Sequence, residues 1–285
     1  MQSIPALLRV EKGRKHPVLL TKKGFRKVVL MAAAYLAVGS LSLLLSAVFA
    51  YRGIPSVPLV IMGVAVYLLC IPLIFWGRYA EGVGKPVRLG LTLVRRQLQP
   101  AAFLRQYEDL LNTPDLIIKK PGVEVLQLVM LAYELLGDSE SALAVAEDMI
   151  RTTAGNKRRL ACLFKVSLLY AYGRIGEAEA LLGEMQAQKL NMICRSLAET
   201  ITKGDRALAL GDTKTAESFY LGQLKWPFPK PDAVSLLVSH YYLGEIYTRQ
   251  NEPEKAAEHY RYCAEYGGAT ALQTSAAEKL QRMPG

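Results

Sequence analysis

Residues 28–51 and 55–76 are two consecutive stretches without a single Asp, Glu, Lys, Arg or His, separated only by Arg52-Gly53-Ile54. As a helix the first run reaches about 36 Å, enough to cross roughly 30 Å of hydrocarbon with some tilt. It is too long for the core of a signal peptide, and a second spanning-length run follows it. Both runs therefore predict membrane-spanning helices, and so short a connection makes them an antiparallel hairpin. Ala32, Gly39, Ser42 and Ser46 recur along one face of the first run, where small side chains let a second helix approach closely. Tyr51 and Trp76 fall at span ends, and Pro72 predicts a kink in the second span. With no ionisable group inside either span, the hairpin reads as an anchor and not as an ion path.

Charge sets the orientation. Residues 1–27 hold Arg9, Lys12, Arg14, Lys15, Lys22, Lys23, Arg26 and Lys27 against the single acid Glu11. Residues 77–96 add Arg78, Lys85, Arg88, Arg95 and Arg96 against Glu81. The positive-inside rule places both ends of the hairpin in the cytoplasm, so the expected location is the plasma (inner) membrane with both termini cytoplasmic. The formal charge of +10 is thus concentrated at the membrane flanks. Residues 97–285 carry 21 basic and 23 acidic side chains, a net of −2. A domain with that balance lacks the electrostatic footprint of a nucleic-acid binder, and no nucleic-acid partner is expected.

The segment 85–99, KPVRLGLTLVRRQLQ, puts Val87, Leu91, Val94 and Leu98 on one helical face with Arg88, Arg95 and Arg96 off it. Two readings stay open: a basic helix resting on anionic lipid headgroups, or the first helix of the domain that follows. The expected organisation is a basic cytoplasmic segment (1–27), a two-span hairpin (28–76), a juxtamembrane helix (77–99) and a helical domain (100–285).

From residue 100 the apolar positions recur at helical spacing, punctuated by Pro, Gly and Asn. Four segments align, beginning at Gly137, Gly173, Gly211 and Asn251. Each has an alanine five residues later: Ala142, Ala178, Ala216 and Ala256. A tight turn between antiparallel helices wants a residue that tolerates left-handed dihedrals, and the alanine lets the second helix press on the first. Four residues beyond each alanine stand Ala146, Leu182, Tyr220 and Tyr260, and nine before it Tyr133, Leu169, Ala207 and Tyr247. Phe103, Tyr107 and Leu110 predict a further helix over 101–112, and 269–282 reads as a capping helix.

On these residues the chain resembles the tetratricopeptide repeat family over about 123–283. Leu243-Gly244, Tyr247, Ala256 and Tyr260 fall at the spacing of the family's signature, and the other three units match it in part. The resemblance implies an all-α chain: a transmembrane hairpin followed by a TPR-like solenoid of about four helix pairs. It also implies a concave groove for a peptide or partner helix. Transferred residue by residue, the groove positions are Gln127, Leu131, Glu134, Leu163, Ser167, Tyr170, Ile201, Asp205, Leu208, Tyr241, Glu245 and Thr248. None is the Lys or Asn with which family members clamp an acidic C-terminus. A mixed apolar and acidic groove suits an apolar or basic segment. Trp226 and Phe228, in a proline-rich connector, are a possible contact patch, or fold back over the gap between repeats.

Enzyme chemistry finds no footing. His16, His240 and His259 are scattered, with no partner at a metal or triad spacing. Cys70, Cys162, Cys194 and Cys263 form no Cys-x-x-Cys pair and read as small buried hydrophobes. No catalytic, cofactor or metal site is predicted. The functional expectation is a membrane-anchored adaptor or scaffold that recruits a protein partner to the cytoplasmic face. The alternative is an assembly subunit of a cell-envelope complex, for secretion or exopolysaccharide export, whose hairpin makes the main contacts.

Overall fold

In the computed structural model of the chain, residues 19–54, 57–66, 68, 84–112, 116–119, 122–225 and 231–283 are described. The fold is predominantly helical and divides into two compact units. One comprises residues 14–86 with 109–122; the other is built on residues 87–108 and 123–285.

In the first unit, α1 (Lys22–Tyr51) is the dominant element. Its Gly24–Tyr51 portion is, by length and composition, long and apolar enough to cross a membrane. Leu30, Leu41 and Leu44 point outward from it and are exposed, while Gly39, Ser42 and Ser46 are buried. A shorter apolar helix, α2 (Val57–Val66), lies against that small-residue face. A Cβ added at Gly63 would stand 2.8 Å from Leu43 Cγ and 3.2 Å from the Gly39 carbonyl oxygen. The Ser42 hydroxyl turns back on its own helix and donates to the Val38 carbonyl at 3.0 Å. The rest of the second expected span, with Cys70, Pro72 and Trp76, lies outside the described residues. One feature departs from an all-α reading: β1 (Leu19–Thr21) pairs antiparallel with β2 (Leu116–Lys119). Such short runs carry little period-2 signal, which is why the sequence did not announce them.

The second unit opens within α3 (Lys85–Gly90), at Val87; the chain continues as a π-helical turn over Leu91–Arg96 and then α4 (Pro100–Leu111), which belongs to this unit up to Glu108. Four helix pairs follow. They are α5 (Val123–Leu135) with α6 (Ser139–Thr152), and α7 (Gly155–Ala171) with α8 (Ile175–Gln186). The third starts with α9 (Met192–Ile201), which runs through a π-helical turn, Thr202–Arg206, into α10 (Ala207–Ala209) and pairs with α11 (Thr213–Lys225). The fourth is α12 (Ala233–Arg249) with α13 (Pro253–Tyr266), and α14 (Ala271–Arg282) closes the chain.

The four turns are built alike. Gly137, Gly173, Gly211 and Asn251 all have positive φ, between 60° and 81°. In each turn the next amide reaches back to the carbonyl nine residues before the alanine. Asp138 N–H donates to Tyr133 (3.0 Å), Arg174 to Leu169 (2.8 Å), Asp212 to Ala207 (2.8 Å) and Glu252 to Tyr247 (2.9 Å). These are the wide bonds of a Schellman helix ending, and they cap carbonyls that the helix leaves open. Ala142, Ala178, Ala216 and Ala256 are all completely buried.

Side-chain size is matched across each pair. Sixteen residues separate Met130 from Ala146, Val166 from Leu182, Gly204 from Tyr220 and Gly244 from Tyr260. Where the second helix brings a tyrosine, the first supplies a glycine. A Cβ at Gly244 would stand 2.6 Å from the Tyr260 ring, and one at Gly204 2.7 Å from Phe219.

The segment expected to be a separate juxtamembrane helix packs into this unit. Val94 and Leu98 are core residues, and the π-helical turn touches both α5 of the first pair and α12 of the fourth. Arg95 pairs with Asp232 at 2.9 Å, and the Leu98 carbonyl accepts from the Ala269 amide at 2.9 Å. Packing thus carries across residue 99, where the sequence reading put a boundary. A headgroup-facing stripe of Val87, Leu91, Val94 and Leu98 is not what this helix presents: only Leu91 of the four is exposed.

Candidate partner site among the helix pairs

Of the twelve expected groove positions, Leu163, Tyr170, Ile201 and Leu208 are buried in the core and line no open surface. The reason is local. The first helices of the two middle pairs have neighbours on both sides, so more of their circumference is covered than in an end pair.

At the fourth pair the positions are occupied from within. Lys279 of α14 forms an ion pair with Glu245 and stands over the rings of Tyr241 (5.8 Å) and Tyr260 (5.6 Å). The Tyr260 hydroxyl donates to Glu245 Oε1 at 2.5 Å, and Tyr241 Oη lies 2.9 Å from Ser275 Oγ. Thr248 is exposed and bonds its own helix through the Gly244 carbonyl at 2.8 Å.

The remaining positions converge on two carboxylates. Ser167 Oγ donates to Asp205 Oδ2 at 2.5 Å, joining α7 to the π-helical turn of the third pair. The Tyr220 hydroxyl from α11 donates to Asp205 Oδ1 at 3.3 Å. Burial pushes Asp205 up to about 6, against the pull of those two donors. Glu134, at the end of α5, is pushed up to about 7, first by burial and then by the charge of Asp205. Gln127 and Leu131 lie half-buried on the same helix. Tyr172, Tyr220 and Tyr242 surround the acids, and burial followed by nearby charge (Glu134 for Tyr172, Asp205 for the other two) raises the pKa of all three phenols. The Tyr172 hydroxyl is buried without a hydrogen-bond partner among the described residues. No Lys or Arg among the described residues forms an ion pair with Glu134 or Asp205. The adjacent Arg206 is committed to Glu179, at 2.7 and 3.1 Å. Two acids beside several phenol rings, with no cation paired to them among the described residues, are groups that an ammonium or guanidinium would complement chemically.

The tyrosines and the Ser167–Asp205 bond were not foreseen. Gly204 was also missed, although it sits three residues before Ala207 as Gly244 does before Tyr247. The two C-terminal histidines, scattered in sequence, meet in space: His240 Nδ1 lies 2.9 Å from His259 Nδ1, so at least one ring is neutral. Tyr262 stacks on His240 at 3.8 Å and Tyr247 on His259 at 5.5 Å. Burial, then the neighbouring ring, lowers His240 to about 4. Antiparallel pairing was the available signal, since the two lie eleven residues before and eight after Asn251. Among the described residues no three His, Cys, Asp or Glu side chains stand close enough to hold a metal ion. Cys162, Cys194 and Cys263 are buried free thiols. Trp226 and Phe228 lie outside the described residues.

No family model, curated protein or solved structure matches the chain.

Proposed function

We propose that this protein is a membrane-anchored, TPR-like adaptor that holds a protein partner at the cytoplasmic face of the membrane through a basic segment of that partner. The apolar runs 28–51 and 55–76 form the transmembrane hairpin, and the four helix pairs form the solenoid. One observation carries the reading: Glu134 and Asp205 are half-buried, their pKa values are raised by burial, and no basic side chain among the described residues forms an ion pair with either. A Lys or Arg from a partner helix supplies the missing cation, and its arrival draws off the proton that Glu134 holds near neutral pH. The test is fluorescence anisotropy on the full chain in nanodiscs, with labelled amphipathic helical peptides of basic or acidic polar face. The basic peptide binds, and binding weakens as pH falls from 8 through about 6. Glu134→Gln with Asp205→Asn weakens it by about tenfold or more. Preference for the acidic peptide, or indifference to the double substitution, overturns the reading.

The alternative, an assembly subunit whose hairpin makes the main contacts, draws support from the segment Leu91–Arg96. It touches both the first and the fourth pair, so surface of both is already covered by the chain itself. Deleting residues 28–76 separates the two readings: an adaptor still captures its ligand, and an assembly subunit loses its association.

A further inference from the structure

The second unit exposes few large apolar side chains, and among the described residues two of them are adjacent. Met192 and Ile193, at the start of α9, are 83% and 63% exposed, while Leu91, Leu210 and Tyr266 stand singly. Isolated exposed apolar residues are ordinary; the most exposed two lying side by side at a helix-connecting tip call for a cause. The tip is fixed firmly. Asn191 caps α9 by accepting from the Cys194 amide at 2.9 Å, and Cys194 itself is buried. The apolar pair is therefore held outward on a rigid base.

The charged side chains that flank it in sequence are basic. Lys189 and Arg195 flank the pair in sequence and are exposed. The start of α7 lies alongside, because Cys194 Sγ reaches the Asn156 carbonyl at 3.8 Å and Arg159 Nε donates to Gln188 Oε1 at 3.1 Å. That brings Arg158, also exposed, to the same end, where it lines a recess with Arg159, Glu147 and Glu184. Among the described residues Arg158, Lys189 and Arg195 form no ion pair. Beside the tip opens a recess of about 430 Å³ lined by Lys189, Arg195 and Lys203, with Glu199 as its only acid.

We propose that this tip is a second membrane contact: Met192 and Ile193 enter the interfacial layer of an anionic bilayer, and the surrounding cations hold its headgroups. An apolar wedge rimmed by Lys and Arg is the chemistry of peripheral attachment, in which apolar insertion and headgroup attraction add. The occupant is argued from charge complementarity and from α1, which by the proposed anchoring already brings a bilayer to this chain. The inference rests on that anchoring but not on the acidic site.

The test uses the full chain carrying Ile193→Trp in nanodiscs, with the wild-type chain (Trp76 and Trp226) measured in parallel to isolate the added emission. Discs are made with phosphatidylserine or with phosphatidylcholine alone, each with and without brominated acyl chains. The added emission is expected to fall severalfold on bromination in phosphatidylserine discs. That quenching is lost when Lys189→Glu and Arg195→Glu are introduced together. A chain that co-elutes with the discs but shows no bromine-dependent loss of the added emission overturns the tip contact alone, as does quenching that charge reversal leaves unchanged. A chain that does not co-elute overturns the anchoring itself, and this inference with it.

Discussion

Glu134 and Asp205 are acids whose ionised forms are penalised by the fold. The folded chain holds the Glu134 proton more tightly than the unfolded chain does, with the midpoint raised from 4.5 to about 7. Stability from this residue is therefore complete below pH 4.5 and lost as pH rises through about 7, opposite in sign to a salt-bridged carboxylate. His240, lowered to about 4, works the other way: its contribution is present above 6.5 and lost as pH falls through 4. Glutamine mimics the protonated acid and cannot ionise. Glu134→Gln is expected to leave stability at pH 4 near that of the wild type and to raise it at pH 8 by on the order of 1–3 kcal/mol. Denaturant or thermal melts of the full chain in detergent at the two pH values measure this. An equal offset at both would mean that packing, and not charge, sets the difference. A residue that costs stability where it is ionised, yet stands ready for a cation, fits a binding role better than a structural one.

At the scale of the helix pair, the governing fact is the exchange of volume between facing positions. Gly244 has no room for a methyl group because the Tyr260 ring is already there, 2.6 Å from where a Cβ would stand. Gly183, in the interior of α8, has nothing within 4 Å. The same substitution should therefore have opposite signs. Gly244→Ala destabilises by about 1–3 kcal/mol through overpacking. Gly183→Ala stabilises by about 0.5–1 kcal/mol, because alanine loses less backbone entropy in a helix. Chemical denaturation of the two variants beside the wild type decides it, and a stabilised Gly244→Ala would show that Tyr260 moves aside at little cost. This size rule also marks what the sequence could show. The turns were legible because a left-handed residue and a buried alanine five positions later are local requirements written into each unit. Gly204 went unread because Ala207 stands where a tyrosine was sought, although Tyr220 sixteen residues later was the compensating signal. The groove was legible only in part. Whether Leu163 or Ile201 meets solvent depends on the helices on either side, which no single repeat encodes. The Ser167–Asp205 bond spans 38 residues and answers to no periodicity.

At the scale of the helical unit, its two ends touch. In a linear stack each repeat contacts only its neighbours, and loss of a terminal helix stays local. Here the Leu98 carbonyl accepts from Ala269, and Leu98 takes a left-handed φ of 52°, a costly conformation for a branched side chain. Opposite it, Gly268 also has positive φ, and a Cβ there would come within 2.6 Å of the Leu98 carbonyl oxygen. The first turn joins the same contact: a Cβ on Gly137 would lie 3.2 Å from Cβ of Ala271. Arg95 on Asp232 ties the π-helical turn to the start of α12. A chain ended at Gly268 loses α14, the Lys279 ion pair with Glu245 and the amide that holds Leu98. Amide exchange should then quicken over α12 and α13, as an open stack would also show. It should quicken as well over residues 90–99 and around the Gly137 turn, far away in sequence, because those segments lose a partner directly. The second pair, α7 with α8, shares a core with α9 through Leu163, Leu169, Leu182, Met185, Cys194 and Ile201 and should change little. Hydrogen–deuterium exchange on the full and shortened chains in the same detergent separates the cases. Faster exchange confined to residues 233–266 would mean that the contacts between first and last pairs add nothing to stability, and the unit would behave as an open array.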